Sequence, residues 1–310
     1  MDGSLILDKP AGLTSHDVVL AARRLLSEKR IGHLGTLDPF ATGVLVLLAG
    51  RATRLARFFC DRDKTYQGII RFGYATDTMD RTGCAVSEDA DPRLNEDELR
   101  RIFADFVGPY VQRPPAFSAK KISGVRAYRL ARRGMRVELT PMAVVIHSLE
   151  LTWVEGTRAG FETKVSSGTY IRSLVNDLGE RTKSGAHLAE LRRTAIGEFT
   201  EPSALKLGEL EERMARGSDV LIPLEELLPE FPSITLTESE ARRAGHGNDL
   251  TLNSEAGRLR LMNSQGRLIG IGERIAENLY HPLVVLVTED SNSPAGAGAG
   301  SGVHRAAGVR

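Results

Sequence analysis

The apolar run Val44–Ala49 is the segment that most constrains how this chain can fold. Six consecutive aliphatic residues, preceded and followed by glycine, predict a buried core strand. The stretch before it, 32–43, is rich in glycine and threonine and contains one acid, Asp38, followed by Pro39. The sequence therefore places a single carboxylate in a loop at the entrance to a core strand, where a catalytic group can be held rigidly.

Length and composition bound the class of protein. The chain has 310 residues, of which 41% are hydrophobic and 26% charged, as expected of a globular protein with about two domains. Its formal net charge of +1 gives no overall field that attracts nucleic acid or a membrane. A basic surface is therefore expected only locally.

The cysteines and the N-terminus predict a cytoplasmic protein. Cys60 and Cys84 are isolated, with no CxxC pair and no nearby histidine spacing, so we expect reduced thiols and no zinc site. The first residues lack the basic and apolar regions of a signal peptide. No apolar run approaches the roughly 20 residues that span a membrane, so no membrane partner is expected.

Hydrophobic periodicity and capping residues divide the chain into helices and strands. Thr14 and Asp17 have capping-box spacing, and Asn95 with Glu98 caps the clearest helix. Helices are expected at 14–30, 52–60, 95–108, 169–185 and 237–245. Strands are expected at 4–8, 65–73, 142–156 and 159–168, in two runs within 258–273, and at 282–287.

A change of composition near "PEFPS" predicts a domain boundary. We expect a first domain over 1–230 and a small β-rich module over 232–289. The last segment, 290–310, is low-complexity glycine, alanine and serine with a few basic residues, and is expected to be disordered.

Asp38 has a structural and a chemical interpretation. An aspartate before proline is common in turns and can cap a neighbouring helix. The glycines around Asp38, however, allow a large ligand to approach the backbone, and a carboxylate can act as a nucleophile towards carbon. An aspartyl phosphate is disfavoured because "TLDPFAT" brings no further acid for Mg²⁺, and the spacing of a glycine-rich phosphate cradle is missing.

Three other residues carry candidate chemistry. Arg172 follows a predicted strand-to-helix turn and falls in the first turn of the helix, so it is either a surface arginine or a site residue. Tyr66, judged from the residues alone, is more typical of a core or interface position than of a catalytic one. His33 has no Cys or His neighbour, which argues against a metal role, and its place between two glycines predicts a protruding loop residue.

The segment Lys120–Arg136 contains seven Lys and Arg residues and no acid. It is either the solvated face of a helix or a surface that contacts the phosphates of a nucleic acid, with Tyr128 interleaved. In the second interpretation Lys120 and Lys121 are substrate-binding candidates.

Six segments, taken together, resemble the bacterial tRNA pseudouridine synthases of the TruB type. Each is modest evidence alone, but six in the right order, over residues 4 to about 200, are specific. They read LDKPAGLTSHDVV, GHLGTLDPFATGVL, KTYQGIIRFGYATDTMDRTG, RPPAFSAKKISGVRAYRLARRG, SSGTYIRSLVNDLG and GAHLAELRRTAIG. The C-terminal module is similar to the small PUA-type RNA-binding domain of that family.

The resemblance implies a fold and a reaction. The fold is α+β, with a large mixed, mostly antiparallel sheet, flanking helices and an appended β-barrel-like module. The reaction is isomerisation of uridine to pseudouridine at position 55, in the T-loop of tRNA, with the target base flipped out of the stack. No metal and no organic cofactor are implied. The expected partner is the T-arm of tRNA, bound by a monomer with no protein partner.

The same resemblance implies roles for individual residues. The nucleophile, an active-site tyrosine and an arginine partner correspond to Asp38, Tyr66 and Arg172. His33 corresponds to a histidine that enters the RNA where the target base was, and Tyr170 and Leu191 correspond to residues that pack around the flipped uracil. The carboxylate attacks either ribose C1′ or uracil C6, and both alternatives remain open.

The rival class is a binding protein, a tRNA-folding chaperone whose catalysis is secondary or absent. Asp38 favours the enzyme, because a chaperone could tolerate asparagine or alanine at this position. The two activities are not mutually exclusive.

Overall fold

The computed structural model describes residues 1–86, 88–89, 91–117, 121–122, 125–127, 135 and 139–286. For 121–122 and 125–126 it describes the backbone only. Contacts divide the chain into two compact units, Met1–Leu227 and Leu228–Arg310. The expected disordered segment, 290–310, lies outside the described residues.

The first unit is built on a nine-stranded sheet. Its strands are β1 (Gly3–Lys9), β2 (Ile31–Leu34), β3 (Thr42–Ala49), β4 (Lys64–Phe72), β5 (Gly108–Gln112), β8 (Met142–Glu155), β9 (Arg158–Val165), β10 (Ala186–Ile196) and β11 (Phe199–Thr200). A separate hairpin pairs β6 (Lys121–Ile122) with β7 (Val125–Arg126).

The strand order confirms the predicted α+β fold. The path through the sheet is β1-β3-β10-β4-β9-β8-β5, with β2 beside β3 and β11 beside β10. β3 and β10 run parallel, and the other pairs described in this sheet are antiparallel. The sheet is therefore mixed and mostly antiparallel, as expected.

The run Val44–Ala49 is the predicted core strand. It forms most of β3, and every one of its residues is buried. β1 pairs with β3 along its whole length, from Gly3 opposite Ala49 to Lys9 opposite Gly43, and β10 lies on its other side. An interior strand covered in this way tolerates the unbroken apolar pattern.

In the described part of the first unit, four helices flank the sheet: α1 (Ser15–Leu25), α2 (Glu96–Asp105), α3 (Ile171–Arg181) and α4 (Leu207–Ala215). The predicted capping box of Thr14 and Asp17 begins α1, and Asn95 is the N-cap of α2. The segment expected as a helix at 52–60 is a 3-10 helix, Gly50–Phe58. Shorter 3-10 helices follow at Glu201–Ser203 and Leu224–Glu226. None of the helices described is long and apolar enough to cross a membrane.

Two apolar clusters fix the helices to the sheet. One joins residues of α2 and α3, such as Phe103 and Leu178, to β4, β8, β9 and β10. The other joins α1 and α4 to β1, β2 and β3. The first cluster also contains Leu37 and Phe40, which flank Asp38 in sequence, so the loop that carries the acid is part of the core packing.

The second unit has a five-stranded sheet in the order β12-β14-β15-β16-β13. The strands are β12 (Ser233–Thr235), β13 (Leu250–Thr251), β14 (Arg258–Met262), β15 (Leu268–Ala276) and β16 (Leu279–Val285). The helix α5 (Glu238–Gly245) begins with a capping box on Thr237. The β-rich character, the short capped helix and the two runs within 258–273 are as predicted.

Local patterns do not predict β2, β5 or β10. β10 is rich in alanine, leucine, glutamate and arginine, which favour helices, yet it is paired with β3 on one side and β4 on the other. Pairing on both sides outweighs this local preference. β2 has only four residues and carries His33, so the expectation of a protruding loop histidine is wrong.

Gly68 permits a close approach between strands. A Cβ at this position would lie 2.6 Å from ring atoms of Phe161 and 2.7 Å from the carbonyl oxygen of Glu190. We expect Gly68→Ala to lower the free energy of unfolding by about 1–3 kcal/mol, because the neighbouring strand must move.

Gly208→Ala is the matched control in urea denaturation. Gly208 lies in α4, and a Cβ there would meet nothing within 4 Å outside the helix backbone. Alanine favours helices over glycine, so this variant is expected to be neutral or up to about 1 kcal/mol more stable. Equal stability of Gly68→Ala and the wild type would contradict the tight contact.

Candidate active site

Asp38 lies in the loop between β2 and β3, and hydrogen bonds anchor this loop on both sides of the acid. The backbone N–H of Leu37 donates to Ser15 Oγ at 2.9 Å, and Ser15 Oγ lies 3.2 Å from the Leu37 carbonyl oxygen. Beyond the acid, Lys9 Nζ donates to the carbonyl oxygen of Pro39 at 3.3 Å. The carboxylate therefore projects from a fixed backbone, as a catalytic group requires.

Arg172 is the second residue of α3, and its guanidinium reaches Asp38. Nε lies 2.9 Å from Oδ2 of Asp38, and Nη2 donates to Oδ1 at 3.2 Å, so the two groups meet in a fork. The side chain of Arg172 is 6% exposed, whereas that of Asp38 is 33% exposed. The prediction that Arg172 lies in the first helical turn is confirmed, and the alternative of a surface arginine is wrong.

The other donors of Arg172 fix it in place. Nη1 donates to the carbonyl oxygen of Thr78 at 3.0 Å, and Nη2 donates to that of Phe117 at 2.9 Å. The cation is therefore held independently of Asp38.

A second acid, Asp80, lies on the other side of Arg172. Its Oδ2 is 3.5 Å from Nη1 of Arg172, and its side chain is 5% exposed. Oδ1 of Asp80 accepts hydrogen bonds from Thr78 Oγ1 at 2.8 Å and from the backbone N–H of Thr82 at 2.9 Å. One arginine thus lies between two carboxylates. In the part of the chain that is described, no group of three or more Asp, Glu, His or Cys is arranged to hold a metal.

Opposing effects set the pKa of Asp38. Burial, the largest effect, raises this pKa, and Arg172 beside it lowers it. The negative charge of Asp80 raises it again, and the net result is a pKa above the usual value for aspartate. The charge of Asp38 therefore depends on Arg172.

Lys9 is a buried cation on the other side of the loop. Its Nζ donates to the carbonyl oxygens of Pro10 at 2.9 Å and Leu13 at 2.7 Å, in addition to the Pro39 bond described above. Burial lowers the pKa of Lys9 to about 8, partly opposed by the charge of Asp38. Lys9 thus joins the end of β1 to the loop that carries the acid.

Tyr66 and Leu191 lie in the apolar cluster that contains Leu37 and Phe40. Tyr66 is on β4 and Leu191 on β10, and both side chains are buried. The burial of Tyr66 agrees with the core or interface position expected from the residues alone. Its cluster also borders the Asp38 loop.

His33 lies on β2, which leads into the Asp38 loop, and Tyr170 lies directly before α3. His33 pairs with Leu47 between β2 and β3, its Nδ1 is buried without a hydrogen-bond partner in the described structure, and burial lowers its pKa. Tyr170 is the N-cap residue of α3, directly before the segment that carries Arg172. Its backbone N–H donates to Oε1 of Gln112 at 2.9 Å.

Two candidates cannot be placed as side chains. Lys120 lies outside the described residues, and only the backbone of Lys121 is described, in β6. Their predicted contact with the substrate remains a prediction.

A groove of about 590 Å³ opens beside the loop. Phe40 and Leu191 line it, together with Arg81, whose guanidinium carbon lies over the Phe40 ring at 5.8 Å from the centroid. Its volume falls within the range that accommodates small organic groups in proteins.

Family models cover most of the chain. The "TruB family pseudouridylate synthase (N terminal domain)" model matches residues 23–171, and the "tRNA pseudouridylate synthase B C-terminal domain" model matches 172–229. The "Pseudouridine synthase II TruB, C-terminal" model matches 232–286. A protein of Solibacter usitatus named tRNA pseudouridine synthase B is 44% identical, over 92% of this chain and 100% of that protein.

The chain belongs to the TruB family. It is therefore a pseudouridine synthase, an isomerase, as the sequence motifs imply. A second relative with the same name, from Aquifex aeolicus, is 39% identical over 88% of this chain and 96% of that protein.

Solved structures show the same fold. The structure titled "Crystal Structure of a Cbf5-Nop10-Gar1 Complex" aligns with a TM-score of 0.71 and 25% identity, over 93% of this chain and 86% of that chain. An archaeal box H/ACA sRNP Nop10-Cbf5 complex aligns with a TM-score of 0.69 and 25% identity, over 93% and 87%.

The charge arrangement predicts opposite effects of two substitutions on stability. Arg172→Met leaves Asp80 and Asp38 without their shared cation, and we expect the free energy of unfolding to fall by about 3 kcal/mol. Asp38→Asn leaves Arg172 paired with Asp80 and is expected to unfold at or above the wild-type temperature at pH 7.

The direction for Asp38 follows from its pKa. A carboxyl group whose pKa is higher in the folded than in the unfolded state destabilises the fold as pH rises through those two values. Replacing Asp38 by asparagine therefore removes this destabilisation of the fold at neutral pH. Thermal unfolding of both variants at pH 7 measures the effects, and a clear loss of stability in Asp38→Asn would contradict this account.

Proposed function

We propose that the protein converts uridine 55, in the T-loop of tRNA, to pseudouridine, with Asp38 as the nucleophile. The observation that carries the proposal is the forked contact between Asp38 and Arg172 in a chain of the TruB family. Relatives at 39–44% identity are named tRNA pseudouridine synthase B, which supports tRNA as the substrate.

The reaction exchanges one bond to the base for another. The bond between ribose C1′ and uracil N1 breaks, the base rotates, and a bond forms between C1′ and C5. C5 loses a proton and N1 gains one, so no atom is added and no electron is transferred. A single nucleophile and a proton acceptor are sufficient for this chemistry.

Asp38 has the properties that this nucleophile needs. It must be ionised, and Arg172 stabilises the charged form inside the site. A third of its side chain surface is accessible, so an extruded nucleotide can reach it. Attack on C1′ and attack on C6 both use the same carboxylate.

The surrounding residues suit an extruded base. Tyr66 offers an aromatic face to the uracil and a hydroxyl that can assist removal of the C5 proton. Leu191 and Tyr170 enclose the base, and His33 fills the position that the base leaves in the RNA. Contacts of this kind offset the cost of unstacking, which is a few kcal/mol.

Affinity for tRNA would come from other parts of the chain. The basic segment with Lys120 and Lys121 is proposed to contact backbone phosphates, as is the C-terminal module over 232–289. The module carries several arginines, including Arg242, Arg243, Arg258 and Arg267. We propose that the protein acts as a cytoplasmic monomer, with the catalytic domain over 1–230.

Asp38→Asn separates catalysis from binding. We expect pseudouridine formation to fall below about one per cent of the wild-type rate, because no carboxylate is left to attack. The Kd for RNA should change by less than about tenfold, because phosphate contacts supply most of the affinity. The substrate is a T-arm stem-loop carrying tritium at C5 of the target uridine, and release of tritium reports loss of the C5 proton.

Asp105→Asn is the matched control, since Asp105 pairs with Arg181 at 3.1 Å on the exposed surface, outside the site. It should turn over like the wild type. Residual activity of Asp38→Asn above about one per cent would contradict the nucleophile. A wild-type protein that binds and refolds tRNA without isomerising it would favour the chaperone instead.

The pKa of Asp38 predicts the pH dependence of the reaction. The rate should rise with pH as Asp38 ionises, and this rise should lie above the usual range for aspartate, about 4. Asp80→Asn should move the rise to lower pH, because it removes a negative charge that raises the pKa of Asp38. Asparagine keeps the Oδ1 acceptor that binds Thr78 and Thr82.

Single-turnover rates from about pH 4 to 8 measure this shift. An unchanged pH profile in Asp80→Asn would contradict electrostatic coupling between the two acids. A rate lowered equally at every pH would assign Asp80 to holding Arg172 instead.

A further inference from the structure

Arg193, on β10, is a buried cation with no carboxylate partner in the described structure. Its side chain is among the largest fully buried ones, with 1% of the residue exposed. Nε donates to the carbonyl oxygen of Val44 at 2.8 Å, and Nη2 donates to that of Gly35 at 2.9 Å. Tyr66, directly opposite Arg193 in the pairing of β4 with β10, also favours the charged form of the guanidinium.

A buried charge without a counter-charge is costly for the fold. Burial lowers the pKa of Arg193, which shows that the surroundings disfavour its charge. An apolar side chain of similar volume would avoid this cost, so the cation needs another explanation. Its hydrogen-bond partners supply one.

The partners of Arg193 frame the loop that carries Asp38. Gly35 is the first residue after β2, and Val44 is the third residue of β3, so the two carbonyl groups lie on either side of the loop. The backbone of Arg193 also packs against Gly43, where a Cβ would lie 2.2 Å from the Arg193 carbonyl oxygen. One residue thus fixes the place where the loop leaves β2 and the place where it enters β3.

The third partner is on a different strand. Tyr66 lies directly opposite Arg193 in the pairing of β4 with β10. A planar guanidinium with five N–H donors in a fixed fork can satisfy acceptors in three directions, whereas an ammonium concentrates its donors on one atom. The geometry of this side chain therefore matches the task of joining Tyr66 to both ends of the loop.

We infer that Arg193 is a positioning residue that holds the Asp38 loop and Tyr66 in the arrangement needed for catalysis. The inference rests on the proposed function, in which Asp38 and Tyr66 act on the uridine. Arg193 acts through the protein, since Nε and Nη2 donate to the backbone carbonyl groups of Val44 and Gly35.

Arg193→Lys tests this role, because it keeps the charge and removes the fork. Two readouts are needed. Hydrogen exchange followed by mass spectrometry reports the mobility of a peptide covering 35–41, in which the amide N–H groups of Leu37 and Ala41 are hydrogen-bonded. Single-turnover rates and RNA binding on the T-arm stem-loop report catalysis. We expect exchange in 35–41 to be at least tenfold faster, the rate at least tenfold lower, and the Kd for RNA within about threefold.

The control is Arg100→Lys. Arg100 also donates to a backbone carbonyl, that of Leu151, at 3.0 Å, but it lies on α2 and is half exposed. This variant should leave exchange in 35–41 and the rate unchanged. It separates the effect at Arg193 from a general response to losing an arginine.

The results of these experiments decide whether Arg193 positions the Asp38 loop. Unchanged exchange in 35–41 overturns the inference, as does faster exchange with a normal rate. If the wild type forms no pseudouridine, the proposed function fails, and the exchange measurement still decides whether Arg193 holds the loop. Arg193→Gln is the second variant, with an uncharged donor in place of the fork. If both variants are unfolded, Arg193 serves the fold as a whole and the inference is overturned.

Coupling to Tyr66 is tested by a double-mutant cycle. If Arg193 positions Tyr66, the rate loss caused by Arg193→Lys should be smaller in a Tyr66→Phe background than in the wild type. Additive losses would overturn the claim that one guanidinium places both groups.

Discussion

The site depends on one interaction, the position of the Arg172 guanidinium between Asp38 and Asp80. Burying an unpaired charge is costly, so Asp38 and Asp80 both depend on the cation that lies between them. Asp80 and the carbonyl groups of Thr78 and Phe117 orient the cation, and the cation then orients Asp38. Asp38, the more accessible of the two carboxylates, is thus held by a cation whose position is fixed by other residues.

The sheet brings the rest of the site to this network. β10 pairs with β3 on one side and with β4 on the other. The Asp38 loop leads into β3, Tyr66 lies on β4, and Leu191 lies on β10, so three adjacent strands supply the loop and the apolar wall. Lys9, at the end of β1, donates a further hydrogen bond to the loop at Pro39. The Asp38 loop, Tyr66 and Leu191 are therefore all anchored to strands in the interior of the sheet.

Local signals predict much of this arrangement. The apolar run of β3, the capping box at Thr14 and the N-cap at Asn95 are written in neighbouring residues, and so is the place of Arg172 at the start of α3. The motifs also lead to the family.

Other residues of the site cannot be predicted from local patterns, because their function depends on burial and on distant partners. Asp80 falls in a polar loop, and Lys9 ends an ordinary strand. Arg193 belongs to a segment whose composition favours a helix. His33 occupies a strand only because β3 offers a partner.

In sequence, 134 positions separate Asp38 from Arg172, so their contact cannot form before most of the first unit has been synthesised. At about 5–20 residues per second, Asp38 precedes Arg172 by about 7–27 s during translation. Throughout that interval Arg172 has not been made, so the nascent chain lacks the forked contact that holds Asp38. The arrangement around Asp38 is thus completed late in synthesis, once α3 and β10 have been made.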